Sequence, residues 1–139
     1  MKIVIHLTVL LLLISMISIS GCINNTQTNS TWGEKKISLD TIKISDNTTD
    51  YRSETNQSRY YVYGYIKNNN PIDAVNPKIK VTTYYSNGTV FAVNDTPYLE
   101  PENLPANGES YFYTRFYDPD SKITKFTVDI VDAKAEYWS

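Results

Sequence analysis

Few side chains in this 139-residue chain are equipped for covalent chemistry. There is one cysteine, Cys22, and one histidine, His6, and His6 lies in an apolar N-terminal run that reads as a removable leader. Without it, Ser–His–Asp and Cys–His nucleophile systems have no base, and zinc sites built from His and Cys have no ligand set. Carboxylates remain. Glu100 with Glu102 and Asp118 with Asp120 are the candidate acid pairs, and two acids converging in a cleft could hydrolyse a glycosidic bond. Both pairs sit among prolines and turn residues, which explains them without catalysis. Asp118, Asp120 and Ser121 could offer oxygens to Ca²⁺, but three ligands in one loop fall short of the roughly six to eight that this ion takes. The sequence therefore predicts a non-enzyme with no catalytic residues, no metal and no cofactor.

Cys22 is set apart by its position. Met1-Lys2 gives a short positive start, Ile3 to Ile19 is an almost unbroken apolar run, and Ser20-Gly21 places small residues just before the thiol. That is the layout of a secretory signal peptide. The run is at the lower limit for spanning a bilayer, and Thr8, Ser15 and Ser18 weaken it further. Ile19-Ser20-Gly21-Cys22 resembles the lipobox of prokaryotic lipoproteins, in which the thiol takes up lipid and the cysteine becomes the new N-terminus. The expected organisation is a signal peptide over residues 1–21 and a lipidated Cys22 opening a polar Asn/Thr-rich tether over 22–34. A single domain of about 105 residues follows over 35–139. The resemblance implies an extracytoplasmic protein held on the cell membrane by its lipid.

Two further patterns bear on recognition. Asn-x-Ser/Thr sequons begin at Asn24, Asn29, Asn47, Asn56, Asn87 and Asn94. In a host that glycosylates exported proteins, as many archaea do, they are candidate glycan sites on turns and tether. Twelve tyrosines include Tyr61, Tyr63 and Tyr65 in one segment and Tyr111, Tyr113 and Tyr117 in another, all at one parity. On a strand they would form an outward aromatic face, suited to contacts with proteins or sugars. Rings pairing across strands for stability alone would give the same pattern. After loss of Lys2 the chain keeps 12 basic and 15 acidic side chains, a bland balance that argues against a nucleic-acid partner.

Elements that could position these residues are strands. Beyond Cys22 the chain is rich in Tyr, Thr, Ile, Val and Asn and poor in Ala and Leu, and no segment keeps apolar residues at helical spacing. A first strand is expected over Lys36–Ser45, kinked near Asp40-Thr41 so that Ile37, Leu39, Ile42 and Ile44 can all turn inward. A polar hairpin-like stretch runs to Ser58. Arg59–Lys67 should bury Tyr60, Val62, Gly64 and Ile66, and Lys78–Tyr85 should bury Ile79, Val81, Thr83 and Tyr85. Asn87-Gly88 forms a hairpin tip leading to a short strand over Thr89–Val93. Pro97, Pro101 and Pro105 mark Thr96–Asn107 as a crossover rather than a central strand. Glu109–Tyr117 should bury Phe112, Thr114 and Phe116, and Ile123–Asp132 should bury Phe126, Val128 and Ile130. Ala133–Trp138 would be a short helical or frayed end. Six or seven antiparallel strands of this kind predict an all-β sandwich.

The segments Tyr63-Gly64-Tyr65-Ile66-Lys67-Asn68-Asn69, Ala74 to Val81, Tyr84 to Val90, and Leu104 to Glu109 with Phe112 resemble the FxLYD family over about residues 58–131. Aligned on Tyr85, the signature's Phe, Leu and Asp positions hold Thr82, Tyr84 and Ser86. CARDB-like adhesion modules share the same rhythm and the Asn-Gly hairpin. Either resemblance implies a small immunoglobulin-like sandwich on a prokaryotic envelope protein, often a lipoprotein, with no catalytic site to carry over. The expected role is to present that domain to an envelope protein or polysaccharide, or to serve structurally. The competing expectation is an accessory domain of an envelope enzyme or transporter, or a carboxylate-based hydrolase.

Overall fold

In a computed structural model, residues 31–139 are described; the leader, Cys22, Asn24 and Asn29 lie outside them. The described residues form nine strands: β1 (Trp32–Lys36), β2 (Ile42–Ile44), β3 (Thr49–Arg52), β4 (Arg59–Asn68), β5 (Val75–Tyr84), β6 (Val90–Asn94), β7 (Tyr98–Glu100), β8 (Glu109–Tyr117) and β9 (Lys125–Trp138). All pairings are antiparallel. One sheet has the order β1-β9-β5-β6. The other runs β2-β4-β8-β7, with β3 also paired to β4. The expected β-sandwich is the observed architecture, with nine strands in place of six or seven.

Alternation in β4 and β8 decides what lies between the sheets. Tyr60, Val62, Gly64 and Ile66 are buried on β4, and Ser110, Phe112, Thr114 and Phe116 on β8, while the residues between them are exposed or half-buried. The two strands run in continuous register from Arg59↔Tyr117 to Lys67↔Glu109, which sets Gly64 opposite Phe112. Gly64 is there because a Cβ would come within 2.9 Å of the Thr48 backbone and press on its side chain. The opposite sheet supplies Ile79, Val81 and Ala133, with Phe126, Val128 and Ile130 packed at the margin.

Three short strands account for the higher count, and each departs from expectation for a physical reason. The expected first strand is divided. A 3₁₀ turn at Leu39–Thr41, at the position expected to kink, separates β1, paired to β9, from β2, paired to β4. This turn moves the chain from one sheet to the other. Ile42 is buried and Ile37 and Ile44 pack on the core, but Leu39, on the turn itself, stays exposed. The fold also begins at Trp32, ahead of the expected Lys35. The polar stretch before Ser58 contains β3. Within the proline-rich crossover lies β7, an edge strand flanked by Pro97 and Pro101. Leu104 of the same crossover is fully buried, and its backbone N–H and C=O exchange 2.9 Å hydrogen bonds with Ala74.

At the C-terminal side, Ala133–Trp138 is neither helical nor frayed. It continues β9, with Ala133 and Ala135 buried and Trp138 opposite Trp32. On β5, Thr82 is buried although it was expected outside. Tyr85 is exposed although it was expected inside, because it lies past the register shift at Thr83/Tyr84.

Candidate functional site

The outer face of the β4–β8 sheet carries the aromatic cluster. Cross-strand register puts Tyr63 opposite Tyr113 and Tyr65 opposite Tyr111, and the four rings meet in tilted and edge-on pairs, among them Tyr65–Tyr111 at 5.5 Å and Tyr63–Tyr111 at 6.5 Å. Tyr61 faces Arg115 across the strands. Two residues outside the strands expected from the sequence extend the cluster on both sides. Tyr51 of β3 stacks on Tyr61, with centroids 4.8 Å apart and ring planes 6° from parallel, and meets Tyr63 edge-on at 5.7 Å. Tyr98 of β7 lies opposite Tyr113 at 5.1 Å. The signal available for both was parity, once the flanking strands were known.

Tyr61, Tyr63, Tyr65, Tyr111 and Tyr113 of the expected face are thus brought together. Tyr117 is not. It points to the same side from the end of β8, opposite Arg59, but is 74% exposed and joins none of the ring pairs.

A cleft of about 270 Å³ opens in the cluster, lined by Tyr51, Tyr61, Tyr63, Tyr111 and Tyr113. Ordinary small-molecule pockets run from about 300 to 1,000 Å³, so this one suits a single ring or side chain. Burial, together with the neighbouring Tyr63 and Tyr65 hydroxyls, raises the pKa of Tyr111 above its usual value. Tyr98 donates its hydroxyl to a Glu100 carboxylate oxygen at 2.8 Å, and that bond and the carboxylate's charge raise its pKa as well. Both phenols stay protonated at neutral pH. At these two positions the face therefore offers ring surface beside a neutral hydroxyl.

A larger cleft of about 690 Å³ lies beside β7, between Asn76–Ile79 and Asp95–Glu100. Asp95, Glu100 and Glu102 reach it, and all three are exposed.

The other acid pair has a different use. Asp118 is fully buried, its carboxylate paired with the Arg52 guanidinium and accepting the backbone N–H groups of Lys122 at 2.8 Å and Ile123 at 2.9 Å. Burial by itself would push this carboxyl up. The Ile123 N–H, the Arg52 side chain and the Lys122 N–H outweigh it and hold the pKa below the usual carboxylate value. Arg52 also donates to the backbone oxygens of Asp118 and Ile123 at 3.3 Å and lies over the Tyr60 ring at 5.2 Å. Asp120 pairs with Lys122 at 2.8 Å in the open. Asp118 and Asp120 thus pair with different cations, Arg52 and Lys122. Asp118 clamps the β8–β9 loop to β3.

Of the sequon asparagines described, Asn47, Asn56 and Asn87 are exposed on turns, while Asn94 is half-buried at the end of β6. Among the described residues, no three His, Cys, Asp or Glu side chains group closely enough to hold a metal ion. Compared with known proteins, the chain matches no family model, no curated protein and no solved structure.

Proposed function

We propose that this protein is a non-catalytic, lipid-anchored module of the cell envelope that uses the tyrosine face of its β4–β8 sheet to hold an envelope protein or polysaccharide. The observation that carries this reading is the aromatic cluster. Five rings line a cleft, and Tyr98 and Tyr65 continue it on either side. Tyrosine places large apolar area and a hydroxyl on a side chain with few torsions to freeze, so a partner is bound at low entropic cost. Rings fixed on paired strands are already arranged for contact. The FxLYD-like and CARDB-like resemblances support the same class of role. A second reading, an accessory or carboxylate-based hydrolytic domain, would draw on the larger cleft with Asp95, Glu100 and Glu102.

Two measurements test the reading. Replacing Tyr63 and Tyr113 by Ser should leave the melting temperature within a few degrees, because both side chains lie outside the core. Crosslinking of the protein to its neighbours on intact cells should fall by about tenfold or more if the two rings act as binding anchors. Unchanged crosslinking with the double substitution would remove the tyrosine face from the function. Glycoside hydrolysis by the wild type that Glu100→Gln or Glu102→Gln abolishes would favour the second reading.

The anchor is tested separately. Cys22→Ser should release the protein from the membrane fraction or leave it unprocessed, since one thiol carries the attachment. A wild-type N-terminus without a lipid mass increment would overturn that part.

A further inference from the structure

The sequons of the folded domain differ sharply in what their carboxamides do. Asn94, at the end of β6, donates its Nδ2 to the Thr114 hydroxyl, and Thr114 lies buried on the inner face of β8, in the opposite sheet. The Asn94 Oδ1 accepts the backbone N–H of Thr96 at 2.9 Å. The nitrogen that would carry a sugar is therefore engaged in a hydrogen bond that joins the two sheets.

Asn87 is the opposite case. It occupies the exposed β5–β6 hairpin tip, where its Oδ1 accepts both the backbone N–H of Thr89 at 3.0 Å and the Thr89 hydroxyl at 2.7 Å. Its Nδ2 makes no hydrogen bond among the described residues, and nothing lies within 4 Å of where a Cβ on Gly88 would stand. The two groups by which a sequon is read, the carboxamide and the hydroxyl two residues on, are thus held together on an unobstructed tip.

Asn47 and Asn56 are exposed but less free. Thr49 of the first sequon is already in β3 opposite Tyr63. Ser58 of the second is half-buried, and its carbonyl accepts the Asp118 N–H at 2.7 Å.

We propose that Asn87 is the principal acceptor for an N-linked glycan in the folded domain and that Asn94, despite its intact sequon, is closed to modification. The co-reactant is an oligosaccharide carried on a polyprenyl phosphate. The Asn87 Nδ2 attacks the anomeric carbon and the N–C bond forms. The bond from that carbon to the phosphate oxygen breaks, and the lipid phosphate leaves with the electron pair. One Nδ2 proton passes to a base of the transferase. The inference does not depend on the tyrosine face. The two are compatible, because the β5–β6 hairpin belongs to the other sheet.

The test is to incubate the folded full-length protein with a sequon-reading oligosaccharyltransferase and its lipid-linked oligosaccharide, then to measure site occupancy by peptide mass spectrometry. Asn87 should exceed Asn94 in occupancy by about tenfold or more, since Asn94 is reached only through local opening of the sheets. Asn87→Gln should remove most of the mass added to peptides from residues 31–139. A synthetic peptide covering residues 91–98 should be modified at Asn94, which shows that the fold and not the sequon closes the site. An unmodified Asn87 in the folded protein would overturn the proposal. So would equal occupancy of Asn94, or a 91–98 peptide that the same enzyme leaves unmodified.

Discussion

Phe112→Ala should destabilise the domain by about 3–5 kcal/mol. Among the described residues Phe112 is the largest fully buried side chain, set across from Gly64 on β4 and Leu99 on β7. Those neighbours come from paired strands whose backbones are fixed by their ladders, so the space left by the ring cannot collapse. Against the roughly 5–15 kcal/mol that holds most domains folded, such a loss consumes a large share. It should appear as a lower denaturant midpoint at nearly constant m-value. Tyr113, one residue on, points to the other face and is the internal control. A loss under about 1 kcal/mol for Phe112→Ala would mean that β8 can shift to refill the site.

Asp118→Ala should cost about 3 kcal/mol for a different reason. It leaves the Arg52 guanidinium, only 26% exposed, without its counter-charge, and the Lys122 and Ile123 N–H groups without their acceptor. The same pair makes stability depend on acid. The folded carboxyl has its pKa lowered, so its contribution is complete above the unfolded aspartate value of about 3.9 and is lost as pH falls through the lower folded value. In that window the unfolded chain takes up the proton first, and protonation favours unfolding. The denaturant midpoint of the wild type should therefore fall between pH 6 and pH 3 by more than that of Asp118→Ala. Parallel acid dependence in the two proteins would show that other carboxylates carry the effect.

The sandwich and the orientation of its two central strands were legible in the sequence because β4 and β8 alternate without interruption. Val62 and Ile66 against Lys67, and Phe112 and Phe116 against Arg115, allow only one inward parity. The edges were not legible. Thr49–Arg52 and Tyr98–Glu100 bury little of their own side chains, so no hydrophobic period marks them, and they are strands because β4 and β8 offer open ladders beside them. Ala133-Lys134-Ala135-Glu136 has residues that favour helix in isolation, and pairing with β1 overrides that preference. The tyrosine face was half legible for the same reason. Its central rings follow from parity, whereas Tyr51 and Tyr98 depend on the edge strands. In the sequence Asp118 has the marks of a turn former or metal ligand, because its partner, Arg52, is remote in the chain.

The chain enters the described fold through β1, an edge strand whose only partner is the last stretch of β9, five pairs from Trp32↔Trp138 to Lys36↔Lys134. This gives the domain a mechanical anisotropy. A pull along the axis of β1 loads the hydrogen bonds along the whole ladder together in shear, because those bonds lie across the strand. A pull that draws residue 31 sideways from residue 139 loads first the backbone hydrogen bonds that Thr31 and Ser139 exchange at 2.9 and 3.3 Å, and the strand then peels from that end one bonded pair after another. The same short ladder is thus a firm grip in one direction of load and a zipper in the other.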